Sequence, residues 1–317
     1  EMLRSLVGSE MCIRDRKVIV LIICSLISIP VAVNAEPLWN GRGRIVVSCD
    51  GNEHDWDDWA ATSMNFAVLA SQRLQDKLPL YIYSDHIWGS NQERSNVKGM
   101  CAYNHMRESA INGAANFGFN NTRLVCAVDN PEVAYNALRD EINKSSLENP
   151  LFIIAAGPMQ VVGEGINRAS REKRRFVTII SHSKWNNIHS DNPQKNFSWD
   201  NHSGWTFDEM VDAFSSSKGG KCKFVKIPDQ NYNLQCDRKE FDWLRLSAAR
   251  SCSYYKHGSW DWLYIRLESC AVKNGTYFDV SDTGMIVFLL TGDDRATPDV
   301  IRRLMDCLLY TSPSPRD

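Results

Sequence analysis

The sequence RIVVSCDGNEHDWDD (residues 44–58) joins an apolar strand to an acidic turn, and it decides how the rest of the chain is interpreted. Residues 44–49 are β-branched and apolar enough to predict a buried strand. Five acidic residues follow within nine positions, namely Asp50, Glu53, Asp55, Asp57 and Asp58. Apolar residues at helical spacing predict a helix over residues 59–74. The acidic turn therefore lies at the carboxyl end of a strand, where open α/β sheets bind ligands.

Short β-branched runs alternate with helical periods along the rest of the chain. Further strands are predicted at residues 80–83, 123–128, 151–155, 176–180 and 222–227. A helix is predicted to begin at Pro131, because proline suits the first helical position. This alternation predicts one α/β domain over residues 36–306, with an open, mostly parallel, Rossmann-like sheet flanked by helices.

The composition is that of a globular protein and argues against binding nucleic acid. The 317 residues are 43% hydrophobic and 23% charged, with Lys+Arg 36 against Asp+Glu 38 and a formal net charge of −2. A nucleic-acid partner is therefore not expected, because there is no basic excess to neutralise phosphates. The expected partner is a small sugar or nucleoside-like molecule, and the composition leaves room for a homo-oligomer.

Both ends of the chain are predicted to lie outside the folded domain. Residues 11–16 (MCIRDR) and 307–311 (CLLYT) can be encoded by frame-shifted reverse complements of one DNA sequence, as at the inverted ends of a sequencing-library adapter. Residues 1–16 and 307–317 are therefore set aside. Residues 17–35 combine a lysine, an apolar run and a small-x-small site, which predicts a secretory signal peptide. The run is shorter than the ~20 residues of a membrane span, so the protein is predicted to be periplasmic or secreted.

The cysteines of the predicted domain do not form a recognisable metal motif. Seven of them remain once the two ends and the signal peptide are removed, namely Cys49, Cys101, Cys126, Cys222, Cys236, Cys252 and Cys270. No C-x-x-C pair occurs among them, so neither a zinc ribbon nor a thioredoxin-type site is predicted. One or two disulfides are compatible with export, although burial as small apolar side chains is the better prediction for several.

The acidic turn is predicted to hold a divalent cation. Carboxylates this close repel one another unless something positive lies among them, and hard cations with oxygen ligands supply that charge. The alternative is a solvated turn with an aspartate capping the helix. Placement favours the cation, because Asp50 ends a strand while Asp57 and Asp58 face the positive end of the next helix.

Three segments together resemble the metal-binding signature of the nucleoside hydrolase superfamily. Residues 50–58 resemble its strand–Asp–Gly-rich turn–Asp-Asp–helix motif, in the longer form D-x-G-G-x-D-x-D-D of a secreted branch sometimes labelled cellulose-binding. Residues 150–159 (PLFIIAAGPM) resemble its strand ending in a Gly-Pro turn. Residues 280–290 (VSDTGMIVFLL) resemble the segment that opens the last core helix. In this order the three segments span essentially the whole predicted domain.

The resemblance implies a calcium site and a hydrolytic reaction. Its metal ligands would be the carboxylates of Asp50, Asp58 and Asp282 and the backbone carbonyl of Ala156. Asp57 would bind a ribose hydroxyl. The implied reaction is hydrolysis of an N-glycosidic or related glycosidic bond by a calcium-held water that Asp50 deprotonates.

The chain departs from the family where the leaving group would be recognised. Ser281 stands where the family places a histidine, and residues 181–187 (SHSKWNN) replace the sugar-binding loop. Asn186 and Asn187 are the candidates there for binding a sugar hydroxyl. His182 and His54 are candidate acids for the leaving group, and a structural, hydrogen-bonded histidine is an equally good interpretation of each. Trp56, inside the acidic turn, is predicted to stack on the substrate, whereas Trp59 is predicted to pack in the core.

Two other functions compete with a glycosidic hydrolase. Residues 291–294 (TGDD), together with Asp50, imitate a haloacid-dehalogenase-type phosphatase. That chemistry needs an acid two residues after the nucleophile, and Asn52 occupies the position. The other alternative is a non-catalytic carbohydrate-binding protein on the same fold, which the tryptophan content and the predicted export allow.

Overall fold

The computed structural model describes residues 36–52, 55–87, 102–188, 204–246 and 259–306. The predicted signal peptide and both adapter-like ends lie outside these residues, as do Glu53, His54, Cys101 and Cys252. The boundaries assigned to those segments therefore stay predictions. The described residues all belong to one compact unit.

Six parallel strands form the central sheet, which confirms the predicted α/β class. They are β1 (Arg44–Cys49), β2 (Leu80–Tyr83), β3 (Arg123–Cys126), β4 (Leu151–Ala156), β5 (Val177–Ser181) and β6 (Lys223–Lys226). Their order across the sheet is β3-β2-β1-β4-β5-β6, and every neighbouring pair is parallel. All six were predicted from the sequence. The third ends earlier than predicted, because residues 127–129 form a turn.

Helices cover both faces of this sheet. Those longer than five residues are α1 (Trp56–Ser71), α2 (Ala102–Phe117), α3 (Pro131–Asn143), α4 (Gln160–Arg168), α7 (Phe207–Phe214), α10 (Ser259–Ser269), α11 (Thr283–Thr291) and α12 (Pro298–Asp306). The shorter ones are α5 (Arg171–Arg174), α6 (Lys184–Ile188), α8 (Asn231–Leu234) and α9 (Trp243–Leu246). A two-stranded antiparallel sheet of β7 (Gln235–Asp237) and β8 (Tyr277–Asp279) was not predicted. Strands of three residues are too short to show a period of two.

The first helix begins earlier than predicted and is buried almost completely. It starts at Trp56 rather than at Trp59, so Asp57 and Asp58 lie in its first turn. Every residue from Asp58 to Ser71 is buried, because the helix packs against α2, α10, α11 and α12 as well as the sheet. Trp59 lies in the core as predicted. The first turn of α1, which carries the two acids, is therefore held by packing along the whole helix.

Side chains of β1 alternate between two cores. Ile45, Val47 and Cys49 face the core that contains α1 and α11, whereas Val46 faces the core that contains α3 and α4. Strands buried on both faces read as continuous apolar runs, which is why the sequence revealed them. The described cysteines, at positions 49, 126, 222, 236 and 270, are free thiols. Within the described part of the chain, no helix is long and apolar enough to cross a membrane.

Candidate metal centre

A polar pocket lies at the carboxyl ends of β1, β4 and β5. The strand order reverses between β1 and β4, and such a switch point is the usual ligand site of an open α/β sheet. The pocket has a volume of about 140 Å³. Its lining residues are Asp50, Asp55, Asp57, Asp58, Ala156, His182, Ser183, Trp185, Asn186, Asn231, Ser281 and Asp282.

The pocket gathers all four residues that the resemblance implies as metal ligands. Asp50 directly follows β1, Ala156 is the last residue of β4, and Asp58 lies in the first turn of α1. Asp282 comes from a distant part of the chain and precedes α11, which packs against α1. The hydroxyl of Thr283 donates to the Ala61 carbonyl at 3.3 Å, which ties the start of α11 to the middle of α1.

The turn after β1 takes its shape from a glycine and a buried indole. Gly51 has φ +83, a left-handed conformation that glycine adopts without strain. The indole N–H of Trp59 donates to the Gly51 carbonyl, and the buried side-chain amide of Asn52 donates to the His86 carbonyl at 2.9 Å. These bonds turn the chain sharply, so that Asp50 and the start of α1 face the same pocket.

The carboxylates in the pocket lie close enough to share one cation. Asp50, Asp55 and Asp58 each offer a carboxylate oxygen within 4.8 Å of the others. Asp50 and Asp282 both lie near Asp58, and besides burial their charges help to raise its pKa. The Oδ1 atom of Asp58 is buried without a hydrogen-bond partner in the described residues.

Burial and mutual repulsion raise the pKa values of these acids. Burial raises the pKa of Asp50 to about 6, and the nearby carboxylate of Asp282 adds to the effect. Burial and the neighbouring acids likewise hold the pKa values of Asp57 and Asp58 well above their usual range. These carboxylates lie too close together to ionise fully without a further positive charge, and an all-oxygen ligand set of this kind fits a hard divalent cation.

Two further acids belong to this centre and were not assigned a role from the sequence. Asp55, at the N-cap of α1, is one of the three clustered carboxylates. Asp85 follows β2; the Ser48 hydroxyl donates to its Oδ2 at 2.5 Å, while its buried Oδ1 has no partner among the described residues. Burial and then the charge of Asp50 raise the pKa of Asp85. The sequence offered one indication that Asp85 belongs near the site, because Asp85 follows shortly after the predicted strand at residues 80–83, which becomes β2 beside β1.

Gly157 lets β4 approach these acids, and its substitution should disturb the centre. A Cβ at this position would overlap the Oδ1 of Asp85 and stand 2.8 Å from the backbone nitrogen of Asp50. We expect Gly157→Ala to cost roughly 1–3 kcal/mol of folding free energy through crowding and to weaken calcium binding. Thermal unfolding and calcium calorimetry measure the two effects.

The matched control is Gly118→Ala. A Cβ there meets no atom, and only the φ of +81 opposes it. If Gly157→Ala proved as stable as this control and bound calcium like the wild type, the close approach of β4 to the acids would be irrelevant to the site.

His182 lies in the pocket with both ring nitrogens facing protein groups. Its Nε2 lies 2.6 Å from Asp282 Oδ1. Its Nδ1 lies 3.3 Å from the backbone nitrogen of Gln230, which donates to it when the ring is neutral, and 3.7 Å from Asp229 Oδ1. Burial lowers the pKa of His182, but its contacts with Asp229 and Asp282 outweigh that effect and raise it to about 9. The ring of His182 thus orients Asp282. The role of His182 as the acid for the leaving group stays a prediction.

The pocket includes some of the predicted substrate-binding residues and not others. Asp57 and Asn186 line it, as expected. Asn187 does not, because its side chain exchanges hydrogen bonds with Asp208 on α7. Trp56 also lies outside the lining and stacks on Trp59 with ring centroids 6.5 Å apart, which corrects the expectation that it faces the pocket. The tryptophan that lines the pocket is Trp185, on α6.

The residues that imitate a phosphatase do not gather here. Asp293 and Asp294 are absent from the pocket lining, and the side chain of Asn52 is buried against the carbonyl of His86. The structure therefore does not bring Asp293 and Asp294 of the phosphatase-like motif to the pocket that contains Asp50.

Comparisons with known proteins found a relative among the curated proteins and a similar solved structure. No family model matches the chain. The uncharacterized protein P22 of Formosa agariphila is 27% identical over 259 residues, which cover 79% of this chain and 84% of that protein. Among solved structures, the inosine-uridine preferring nucleoside hydrolase of Bacillus anthracis is similar with a TM-score of 0.44 and 12% identity, over 83% of this chain and 99% of that one.

Proposed function

We propose that the protein hydrolyses a glycosidic bond with the help of a bound calcium ion. The observation that carries this proposal is the convergence of buried carboxylates, with an unpartnered oxygen on Asp58, in one pocket at the switch point of the sheet. Buried acids with raised pKa values in a cleft mark a candidate functional site.

The ion would be held by side chains that already face one another. Asp50, Asp58 and Asp282 supply carboxylates, the Ala156 carbonyl supplies a backbone oxygen, and Asp55 is close enough to contribute. When bound, a calcium ion neutralises these acids and makes a neighbouring water more acidic. Calcium is proposed over softer metals because no histidine or cysteine is needed to complete the set.

The remaining chemistry belongs to the side chains of the pocket. Asp50 is placed to accept the proton of the attacking water, because it directly follows β1 and lines the pocket. Asp57 and Asn186 are placed to bind sugar hydroxyls, and the partly exposed ring of Trp185 offers a face for stacking. Ser281 lines the pocket but is a poor acid, so leaving groups that depart without protonation should react fastest.

The test is a hydrolysis assay on aryl glycosides and nucleosides. We expect the calcium-loaded protein to cleave p-nitrophenyl glycosides, ribosides included, faster than natural purine nucleosides. A chelator should abolish the activity and added calcium should restore it. Calcium and sugar binding without turnover on the whole panel would replace this proposal by the non-catalytic carbohydrate-binding protein. Export is proposed separately, from residues 17–35 alone.

A further inference from the structure

We propose that the leaving group of the substrate is itself a sugar residue, which binds in a second pocket beside the metal centre. This inference rests on the proposed function and extends it to the substrate class. The second pocket has a volume of about 380 Å³ and is lined by Pro228, Asp229, Tyr232, Asn233 and Arg295.

The two pockets share one wall. Asn231 lines the metal pocket, and its side-chain amide donates to Asp229 Oδ1 at 2.9 Å. Asp229 lines the second pocket, and the same Oδ1 lies 3.7 Å from the His182 ring in the metal pocket. The two pockets are therefore neighbours across the wall that Asn231 and Asp229 form.

The metal pocket alone is small for a complete substrate. Its volume of about 140 Å³ lies below the range of roughly 300–1,000 Å³ that is usual for small-molecule sites. The larger neighbouring pocket supplies the missing space. The pair fits a ligand made of two units, with the bond between them near Asp50 and His182. Water adds across that bond: its oxygen joins the sugar held among the acids, and one of its protons ends on the oxygen of the departing sugar.

The side chains of the second pocket suit a sugar better than a nucleobase. Tyr232 is 93% exposed, so its ring is free to stack on the C–H face of a sugar. Asp229, Asn233 and Arg295 place a carboxylate, an amide and a guanidinium around it, which can bond to several hydroxyls at once. Tyr232 supplies the only aromatic ring among these lining residues, so the second pocket offers one stacking face beside several polar groups, an arrangement that suits a sugar.

The second pocket is held in shape by a buried glutamine. Gln230 is 2% exposed, and its Nε2 donates to the carbonyls of Pro228 and Asp294, each at 2.7 Å. Its Oε1 accepts from the backbone N–H of Ala296 at 3.2 Å. The side chain of Gln230 therefore joins the two loops that form the walls of the second pocket. Gly284 leaves room for Gln230, because a Cβ at position 284 would overlap the Gln230 side chain. Ligand binding to a preformed pocket costs less free energy, because fewer side chains and loops have to be ordered.

The experiment compares two leaving groups in Tyr232→Ala and Arg295→Ala. The substrates are a panel of neutral and acidic disaccharides and the 1-fluoride of each non-reducing sugar, because fluoride departs without occupying the second pocket. We expect each variant to lower kcat/KM about tenfold on the disaccharide that the wild type cleaves and less than twofold on the matching fluoride. The control is Leu147→Ala, another exposed apolar side chain (76%), on the loop that enters β4 at the opposite edge of the sheet.

Each outcome separates this inference from the proposed function. Hydrolysis of fluorides without any disaccharide, or equal losses on both substrates in the variants, overturns the inference and leaves the hydrolase intact. If none of the substrates is cleaved, calorimetry measures whether the same disaccharides bind to the protein and to Tyr232→Ala. Binding that Tyr232→Ala weakens tenfold supports the sugar-binding pocket while the hydrolase fails, and unchanged or undetectable binding overturns the inference.

Discussion

Asp50→Asn is expected to lower kcat by about 10³- to 10⁴-fold without unfolding the protein. A positioned general base contributes about 10²- to 10⁴-fold, and here the same carboxylate is also a proposed ligand of the ion. The substitution keeps the shape of the side chain while removing its charge. Because the pKa of Asp50 is raised to about 6 by burial and by Asp282, a neutral amide also relieves repulsion in the cation-free protein.

Activity and stability should therefore change in opposite directions in this variant. We expect the cation-free Asp50→Asn protein to unfold at the same temperature as the wild type or at a higher one, while turnover of activated glycosides is lost. The matched control is Asp76→Asn, which replaces an exposed aspartate on the turn (Gln75–Lys77) between α1 and β2. Retention of more than a tenth of the wild-type kcat would show that Asp50 is not the base.

The sequence predicted the buried strands β1, β2 and β4 and most of the acidic site for one physical reason. Strands buried on both faces appear as continuous apolar runs, and the residues directly after them lie at the edge of the sheet that binds ligands. Asp50 could be placed in this way, whereas the role of Ala156 came from the motif in residues 150–159. Asp282 precedes a helix instead, and its placement came from the motif in residues 280–290.

The residues that the sequence misplaced depend on packing between distant segments. Trp56 and Trp185 both stand in polar surroundings in the sequence, but only the packing of Trp56 on Trp59 shows which of them lines the pocket. The second pocket likewise depends on Gln230 joining loops that are far apart along the chain. Such contacts leave no local period or motif to detect.

Calcium should stabilise the protein strongly near pH 7 and hardly at all near pH 4. The acids of the centre have raised pKa values in the folded protein, so the folded state binds more protons than the unfolded state does. The stability of the cation-free protein is therefore greatest below the unfolded pKa, near 3.8, and falls as the pH rises through about 6. For Asp50 alone, this rise in pH lowers the free energy of unfolding by roughly 3 kcal/mol.

Calcium competes with the protons bound to these carboxylates and restores the stability that the folded protein loses as the pH rises. At a hundred times its Kd, a ligand that binds only the folded state adds about 2.7 kcal/mol, which corresponds to roughly 5–10 °C in Tm for a domain of this size. Thermal unfolding between pH 4 and pH 8, with calcium or with chelator, measures both trends. Asp58→Asn should remove most of the calcium-dependent rise, whereas Asp76→Asn should leave it unchanged. A calcium effect that persisted at pH 4, or that survived in Asp58→Asn, would place the ion away from these carboxylates.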